Sequence, residues 1–265
     1  MTLAWLKQRR RAKLLAQPFL SAWEGIIEAN VFHDQQLDPE QRAKLRQLVA
    51  IFVAEKHWEG CHGLAISDEI KVTIAAQACL LVVGLDEVYF DHVVSILVYP
   101  TAYVGAETEI SRAGVVIEGG QARMGEAWYR GPVVLSWADA LAGGRHEQPG
   151  HNLVLHEFAH QLDMMNGRRI DGTPRLQNST QYRRWGEVLQ PEYEKLINDC
   201  EHGRRGFIDC YGATSVGEFF AVLTESFFER PAILRQYHLE TYEVLRDFYQ
   251  LDPASWPTPP QWPHK

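Results

Sequence analysis

Residues 152–165, NLVLHEFAHQLDMM, restrict the fold of this chain more than any other segment. His156 and His160 are four residues apart, so in a helix their imidazoles lie one turn above each other on the same face. Neither proline nor glycine interrupts the segment, and bulky apolar residues recur on the opposite face at Val154, Leu155, Phe158, Leu162 and Met165. The pattern predicts a helix over about 151–165 that packs on a core and keeps both imidazoles in a cleft.

The paired imidazoles favour a metal site on this helix. Two neutral imidazoles at this separation suit a tetrahedral zinc ion. Glu157 lies about 100° around the helix from His156 and points to the side of such an ion, where it can accept a proton from a bound water. Asp163 shares the histidine face and is predicted to orient an imidazole through its other ring nitrogen. The alternative interpretation is an amphipathic helix with two partly exposed histidines and no metal.

A third protein ligand is expected, because catalytic zinc usually combines three protein ligands with one open position. The longer HExxHxxGxxH motif is not completed, since Asp163 stands at its glycine position and Asn166 at its third histidine. Seven further histidines show no ligand spacing with each other and are expected at the surface or in the core: His57, His62, His92, His146, His151, His202 and His238. A carboxylate from a later helix is therefore the expected third ligand.

Two glutamates in the segment 209–231 can supply that carboxylate. Glu218 and Glu225 are seven residues apart and so share one face of a predicted helix. Glu218 also has a purely structural interpretation, because Ser215-Val-Gly-Glu218 fits a capping box in which the glutamate reaches back to the Ser215 amide. A glutamate cannot easily serve both roles, and the local sequence leaves the two open.

The predicted elements run as helices, then strands, then helices again, which favours an α+β fold. Asp38, Pro39 and Gln41 signal the start of one helix through a capping box and a first-turn proline, and Ser67 caps the next, over about 68–83. Further helices are predicted at 18–29, 151–165, 179–202, 215–229 and 239–249. Four segments rich in β-branched and aromatic residues are expected to form one sheet, at 93–100, 114–120, 122–129 and 132–137.

Length and composition fit one domain spanning residues 1–265, with 46% hydrophobic residues to form a core. Residues 1–17, with the basic stretch KQRRRAK, and the proline-rich residues 251–265 are expected to be flexible tails. The net charge of −8 argues against nucleic acid or an anionic membrane as a partner, and no segment approaches the roughly 18–20 apolar residues of a membrane span. The four cysteines form no CxxC pair and are expected to be free thiols in a reducing cytoplasm.

Two sets of motifs resemble known families. HEFAHQLD followed by YG-x5-EFFA resembles the gluzincin metallopeptidases, and closely the catalytic domain of anthrax lethal factor. Over residues 18–250, LVYP, W-x2-GPVVLSW, NLVLHEFAHQLD-x2-NG and DCYGAT…GEFFAVLTESFF are similar to the Mlc titration factor A family. The resemblance implies a zincin-like domain in which a small mixed sheet and several helices surround the HExxH helix. It also implies one Zn²⁺ per chain on His156, His160 and Glu218, Glu157 as general base, and Tyr211 as a donor to the oxyanion.

The same resemblance implies what the protein acts on and binds. It points to a cytosolic, aminopeptidase-like zinc peptidase that also binds the glucose repressor Mlc and affects expression of the sugar phosphotransferase system. One alternative is a non-catalytic, repressor-binding protein with a structural or vestigial zinc site, and another is a metal hydrolase that cleaves a different bond. By analogy with zincins, the strand predicted at 122–129 would pair with the backbone of the peptide substrate.

Overall fold

The computed structural model describes residues 3–86, 88–101, 104–105, 108–110, 116–118, 131–167 and 170–257. Within these ranges the α-helices are α1 Leu3–Leu15, α2 Ser21–Asn30, α3 Pro39–Glu55, α4 Asp68–Leu80, α5 Trp137–Gly144, α6 Leu153–Met164, α7 Ser179–Glu201, α8 Val216–Glu229, α9 Pro231–Tyr237 and α10 Leu239–Tyr249. Short 3₁₀ helices span Phe32–Gln36, Cys210–Ala213 and Pro253–Ser255. The strands are β1 His57–Gly60, β2 Ser95–Tyr99, β3 Val104–Gly105, β4 Thr108–Ile110, β5 Val116–Glu118 and β6 Val133–Ser136.

The mixture of helices and strands is compatible with the predicted α+β class, although the strands of the described residues form two sheets and not the one small mixed sheet expected. In the described part of the chain, β1, β2 and β6 form a parallel sheet in the order β1-β2-β6, whereas β3, β4 and β5 form a separate antiparallel sheet. Strand composition indicates extended backbone but not which strands pair, so the sequence could not separate the two. The strand predicted at 122–129 lies outside the described residues.

Helices α3 and α4 begin at the capping residues that the sequence predicted. Asp38 accepts a hydrogen bond from the Gln41 amide at 2.8 Å, and the Gln41 side chain accepts one from the Asp38 amide at 3.2 Å. Pro39 occupies the first turn of α3, where its missing N–H has no helical partner to lose. Helix α3 ends at Glu55, and residues 57–60 then pair with β2 as strand β1. Ser67 caps α4 through the amide of Ile70.

The N-terminal basic segment is not a free tail in the structure. Residues 3–15 form α1, and the Arg11 guanidinium bonds to the Glu55 carboxylate at 2.8 and 2.6 Å and to Asp91 at 2.6 Å. The same guanidinium lies 3.9 Å from the centre of the Tyr89 ring, a cation–π contact. At the other end, Leu251 and Pro253 are buried, so part of the predicted C-terminal tail is packed against the domain.

The prediction of four free cysteines is wrong for two of them. Cys200 and Cys210 form a disulfide that joins the end of α7 to the 3₁₀ helix Cys210–Ala213. The ten-residue spacing gave no sign of this bond, because the chain must fold back after α7 to bring the two residues together. Cys61 and Cys79 are free thiols. Among the described residues, no helix has the length and apolar character needed to cross a membrane.

Candidate metal centre

Helix α6 carries the HExxH motif through the centre of the molecule. Asn152 caps its start, because the side-chain oxygen accepts a hydrogen bond from the Leu155 amide at 3.0 Å. Residues 154–164 are all buried, so α6 has no solvent-facing side. His156 is 4% exposed and His160 is 5% exposed. Both imidazoles are therefore largely shielded from solvent, because other elements cover the histidine face as well as the apolar face.

The covering element on the histidine side is α8, which packs along α6. The imidazoles of His156 and His160 have centroids 5.0 Å apart. His156 Nε2 lies 2.9 Å from Glu218 Oε2, and His160 Nε2 lies 3.4 Å from the same oxygen. One ligand atom from each of the three residues falls within 4.8 Å of the others. Two neighbouring helices thus bring together the two imidazoles and the carboxylate that the sequence motifs singled out.

The structure keeps the predicted serine cap of α8 but directs the Glu218 carboxylate to the histidines and not back to the Ser215 amide, as a full capping box would require. The main-chain amide of Glu218 donates to Ser215 Oγ at 3.2 Å, so Ser215 caps α8 as predicted. The Glu218 carboxylate faces His156 and His160. Burial alone would raise the pKa of Glu218, but the bonds from the two histidines outweigh it and hold the pKa at about 2. The cap uses only the backbone of Glu218 and leaves the side chain available for the histidines.

Glu157 is the second carboxyl at this site, and it has an unused oxygen. The residue is 8% exposed, and its Oε1 has no hydrogen-bond partner among the described residues. The pKa of Glu157 is raised to about 8, chiefly by burial; the charge of His156 lowers it, and the carboxylates of Glu218 and Glu225 raise it. A carboxyl with a raised pKa and an unbonded oxygen is suited to accept and release a proton near neutral pH.

The residue that orients His156 is Glu225, not Asp163 as predicted. His156 Nδ1 lies 2.8 Å from Glu225 Oε1, and the other oxygen of Glu225 accepts a hydrogen bond from the Asn152 amide at 2.6 Å. Burial alone would lower the pKa of His156, but its bonds to Glu218 and Glu225 raise the pKa to about 10. The seven-residue spacing of the two glutamates was the signal for this role, because it directs both carboxylates towards α6.

Asp163 instead holds the loop that follows α6. Its carboxylate accepts hydrogen bonds from the amides of Gly172 at 2.7 Å and Thr173 at 3.1 Å. Gly172 has a φ of 74°, and a Cβ added there would lie 2.5 Å from the carbonyl oxygen of Val216 at the start of α8. The loop approaches α8 closely. The Asp163 carboxylate therefore fixes the position of this loop and does not orient an imidazole.

Tyr211 lies beside the three candidate ligands. It is part of the 3₁₀ helix Cys210–Ala213, and its ring centroid is 5.9 Å from that of His156. Asp209 caps this short helix by accepting from the Tyr211 amide at 2.9 Å, and the disulfide from Cys210 ties it to α7. The structure therefore places Tyr211 next to the residues with which the sequence motif associates it.

Comparison with known proteins gives a family and several relatives. A family model described as glucose-regulated metallo-peptidase M90 matches residues 5–250. An uncharacterised protein from Synechocystis is 38% identical over 250 residues, which cover 94% of this chain and 90% of that protein. A Klebsiella pneumoniae protein named Mlc titration factor A is 31% identical over 233 residues, or 87% of this chain and 86% of the relative. A Yersinia pestis protein of the same name is 28% identical over 253 residues, or 95% and 90%.

Proposed function

Because this chain belongs to the glucose-regulated metallopeptidase M90 family, we propose that it is a zinc-dependent peptidase of the aminopeptidase type. The observation that carries the proposal is the convergence of His156, His160 and Glu218 beside the buried carboxyl of Glu157. Two helices supply these groups, so the geometry of the site depends on how α6 packs against α8.

The donor set fits zinc. Two imidazole nitrogens and one carboxylate oxygen are a recurring ligand set of catalytic zinc sites, and they leave one coordination position for water or substrate. His156, His160 and Glu218 would hold the ion, and Glu225 keeps the His156 ring in place through its second nitrogen. When bound, zinc polarises the scissile carbonyl and lowers the pKa of a coordinated water towards about 7.

Glu157 and Tyr211 carry out the remaining chemistry. Glu157 accepts a proton from the attacking water and then delivers it to the leaving amine, a role that its buried position beside the ligands and its unbonded Oε1 support. Tyr211 donates its hydroxyl proton in a hydrogen bond to the developing oxyanion, which the position of its ring next to His156 supports. His156, His160 and Glu157 are buried, so electrostatic interactions among these groups are stronger than they would be in solvent.

The test of this mechanism is the variant Glu157→Gln, which keeps the size of the side chain and removes the base. We expect it to retain zinc and to lose peptidase activity on a panel of aminoacyl-anilides, with N-blocked anilides included to test for the aminopeptidase type. The exposed Glu187→Gln on α7 is the matched control. A Glu157→Gln protein that hydrolyses peptides at the wild-type rate would remove Glu157 from the mechanism.

We also propose that the protein, in the cytoplasm, binds the repressor Mlc and so affects expression of the sugar phosphotransferase system. The support is the shared name of the 31% and 28% identical relatives, Mlc titration factor A. Binding of purified Mlc to wild type and to Glu157→Gln separates the two activities, because the variant should bind the repressor and hydrolyse nothing. Full zinc content with Mlc binding and no turnover in the wild type would favour a non-catalytic binding protein instead.

A further inference from the structure

A second group of two histidines and a glutamate lies apart from the proposed zinc site. It consists of His33, His146 and Glu229, whose candidate ligand atoms all fall within 4.8 Å of one another. His146 Nδ1 contacts Glu229 Oε2 directly, and His33 Nε2 lies 3.6 Å from Glu229 Oε1. The three residues come from the 3₁₀ helix Phe32–Gln36, the connection after α5 and the last turn of α8. No sequence spacing could have associated them.

The carboxylate of Glu229 is fully enclosed. Its side chain is 0% exposed and that of His33 is 1% exposed, whereas that of His146 is 19% exposed. The recorded contacts of the carboxylate are with the two imidazoles and with the Asn152 side-chain amide, which donates at 3.1 Å. A buried carboxylate needs compensating positive charge, and the groups around it are ones that bind metal cations well when neutral.

The ring of His146 is held towards the carboxylate by an unusual backbone. His146 has a φ of 57°, a conformation that residues other than glycine adopt at an energetic cost. Phe32 stacks on the imidazole with centroids 4.3 Å apart and planes 5° from parallel. Backbone conformation and stacking together fix the direction in which Nδ1 points.

We propose that His33, His146 and Glu229 form a second binding site for a divalent transition metal such as zinc. The ligand atoms are Nε2 of His33, Nδ1 of His146 and the carboxylate of Glu229. The site adds a second ion to the single ion expected at the peptidase centre. The alternative is a group without an ion. In that case His33 Nε2 would donate to the Phe228 carbonyl oxygen, 3.2 Å away, and a protonated imidazole would neutralise the charge of the Glu229 carboxylate. The proposal and this alternative differ in the number of ions bound.

Asn152 connects the second site to the first. Its side-chain amide donates to Glu229, its main-chain amide donates to Glu225, and Glu225 in turn bonds to His156. The same residue caps α6. An ion on Glu229 would therefore fix the start of α6 against the end of α8, and the role we assign to it is to stabilise the relative position of these two helices.

The test counts zinc ions per chain. Full-length protein is stripped with a chelator, dialysed against zinc alone at micromolar concentration, and analysed for metal and protein. We expect two ions in the wild type, one in His146→Asn, one in His160→Asn, and none in the double variant. Asparagine tolerates a positive φ, so the substitution at 146 should keep the local backbone. The control is His62→Asn, because His62 is exposed and has a φ of 50°.

The outcomes separate this proposal from the proposed peptidase site. One ion in both the wild type and His146→Asn, or two in both, would overturn the second site. One ion that is lost in His146→Asn but kept in His160→Asn would support the second site and overturn the first. Circular dichroism in the presence of chelator verifies that each variant is folded. Glu229→Gln, which keeps the side-chain size, should bind one ion as well and provides an independent variant at the same site.

Discussion

Glu218 and Ser215 allow a test in which one substitution removes a cap and the other removes a proposed ligand. The Ser215 hydroxyl accepts from the Glu218 amide, while the Glu218 carboxylate faces the two histidines. Ser215→Ala should therefore destabilise α8 without touching the proposed ligands, and Glu218→Ala should remove a ligand and leave the cap. The two variants separate roles that the sequence placed on one residue.

The two substitutions should change the melting temperature in different ways. Loss of an N-cap costs about 1 kcal/mol, which for a chain of this size lowers the melting temperature by about 2–4 °C, with or without zinc. Zinc at a concentration of about 100 times its Kd adds about 2.7 kcal/mol to the unfolding free energy, or about 5–10 °C. Ser215→Ala should show the same zinc-dependent increase in melting temperature, but from a lower starting value. Glu218→Ala should lose the part of the gain that comes from the peptidase site.

The assay is thermal unfolding of stripped protein with and without zinc, together with metal analysis. To isolate the peptidase site from the second proposed site, both substitutions are made in the His146→Asn background. The reasoning would be refuted if Glu218→Ala kept the full zinc-dependent gain, because the carboxylate would then be no more than a neighbour of the histidines. It would also be refuted if Ser215→Ala abolished the gain.

Three further predictions concern residues around the site and in the core. Tyr211→Phe should lower turnover and leave zinc content unchanged; an unchanged rate would remove Tyr211 from the mechanism. Cys200→Ser, which opens the disulfide to Cys210, should lower the unfolding free energy by about 3 kcal/mol in urea, and equal stability of both proteins would contradict the disulfide. Burial lowers the pKa of Lys56 from 10.5 to about 8, so between these values the unfolded chain holds a proton that the native protein has lost. The unfolding free energy should therefore rise by about 3 kcal/mol from pH 8 to pH 10.5 in the wild type but not in Lys56→Met, and equal slopes would contradict the buried position.

Features that depend on neighbouring residues in the sequence were predictable. The capping box of Asp38 and Gln41 and the caps at Ser67 and Ser215 are present in the structure, because each is formed within one turn of helix. The helix of the HExxH motif spans residues 153–164, close to the predicted 151–165. Apolar residues at helical spacing and an uninterrupted segment were enough to locate it.

Features that depend on how distant segments meet were not predictable. The sequence offered both Asp163 and Glu225 as carboxylates near the predicted site. Only the packing of α8 on α6 decides that Glu225, and not Asp163, contacts His156. The Cys200–Cys210 bond likewise depends on the return of the chain after α7. His146 had no ligand spacing, since its partners come from segments 83 or more residues away.

The three glutamates of α8 set a limit on how this segment can vary. Residues 218, 225 and 229 lie within about 40° of one another around the helix, and all three carboxylates reach groups on or next to α6. A single inserted or deleted residue between them would turn the later carboxylates by about 100° relative to the first. The number of residues from 218 to 229 is therefore fixed by the two groups of histidines at its ends.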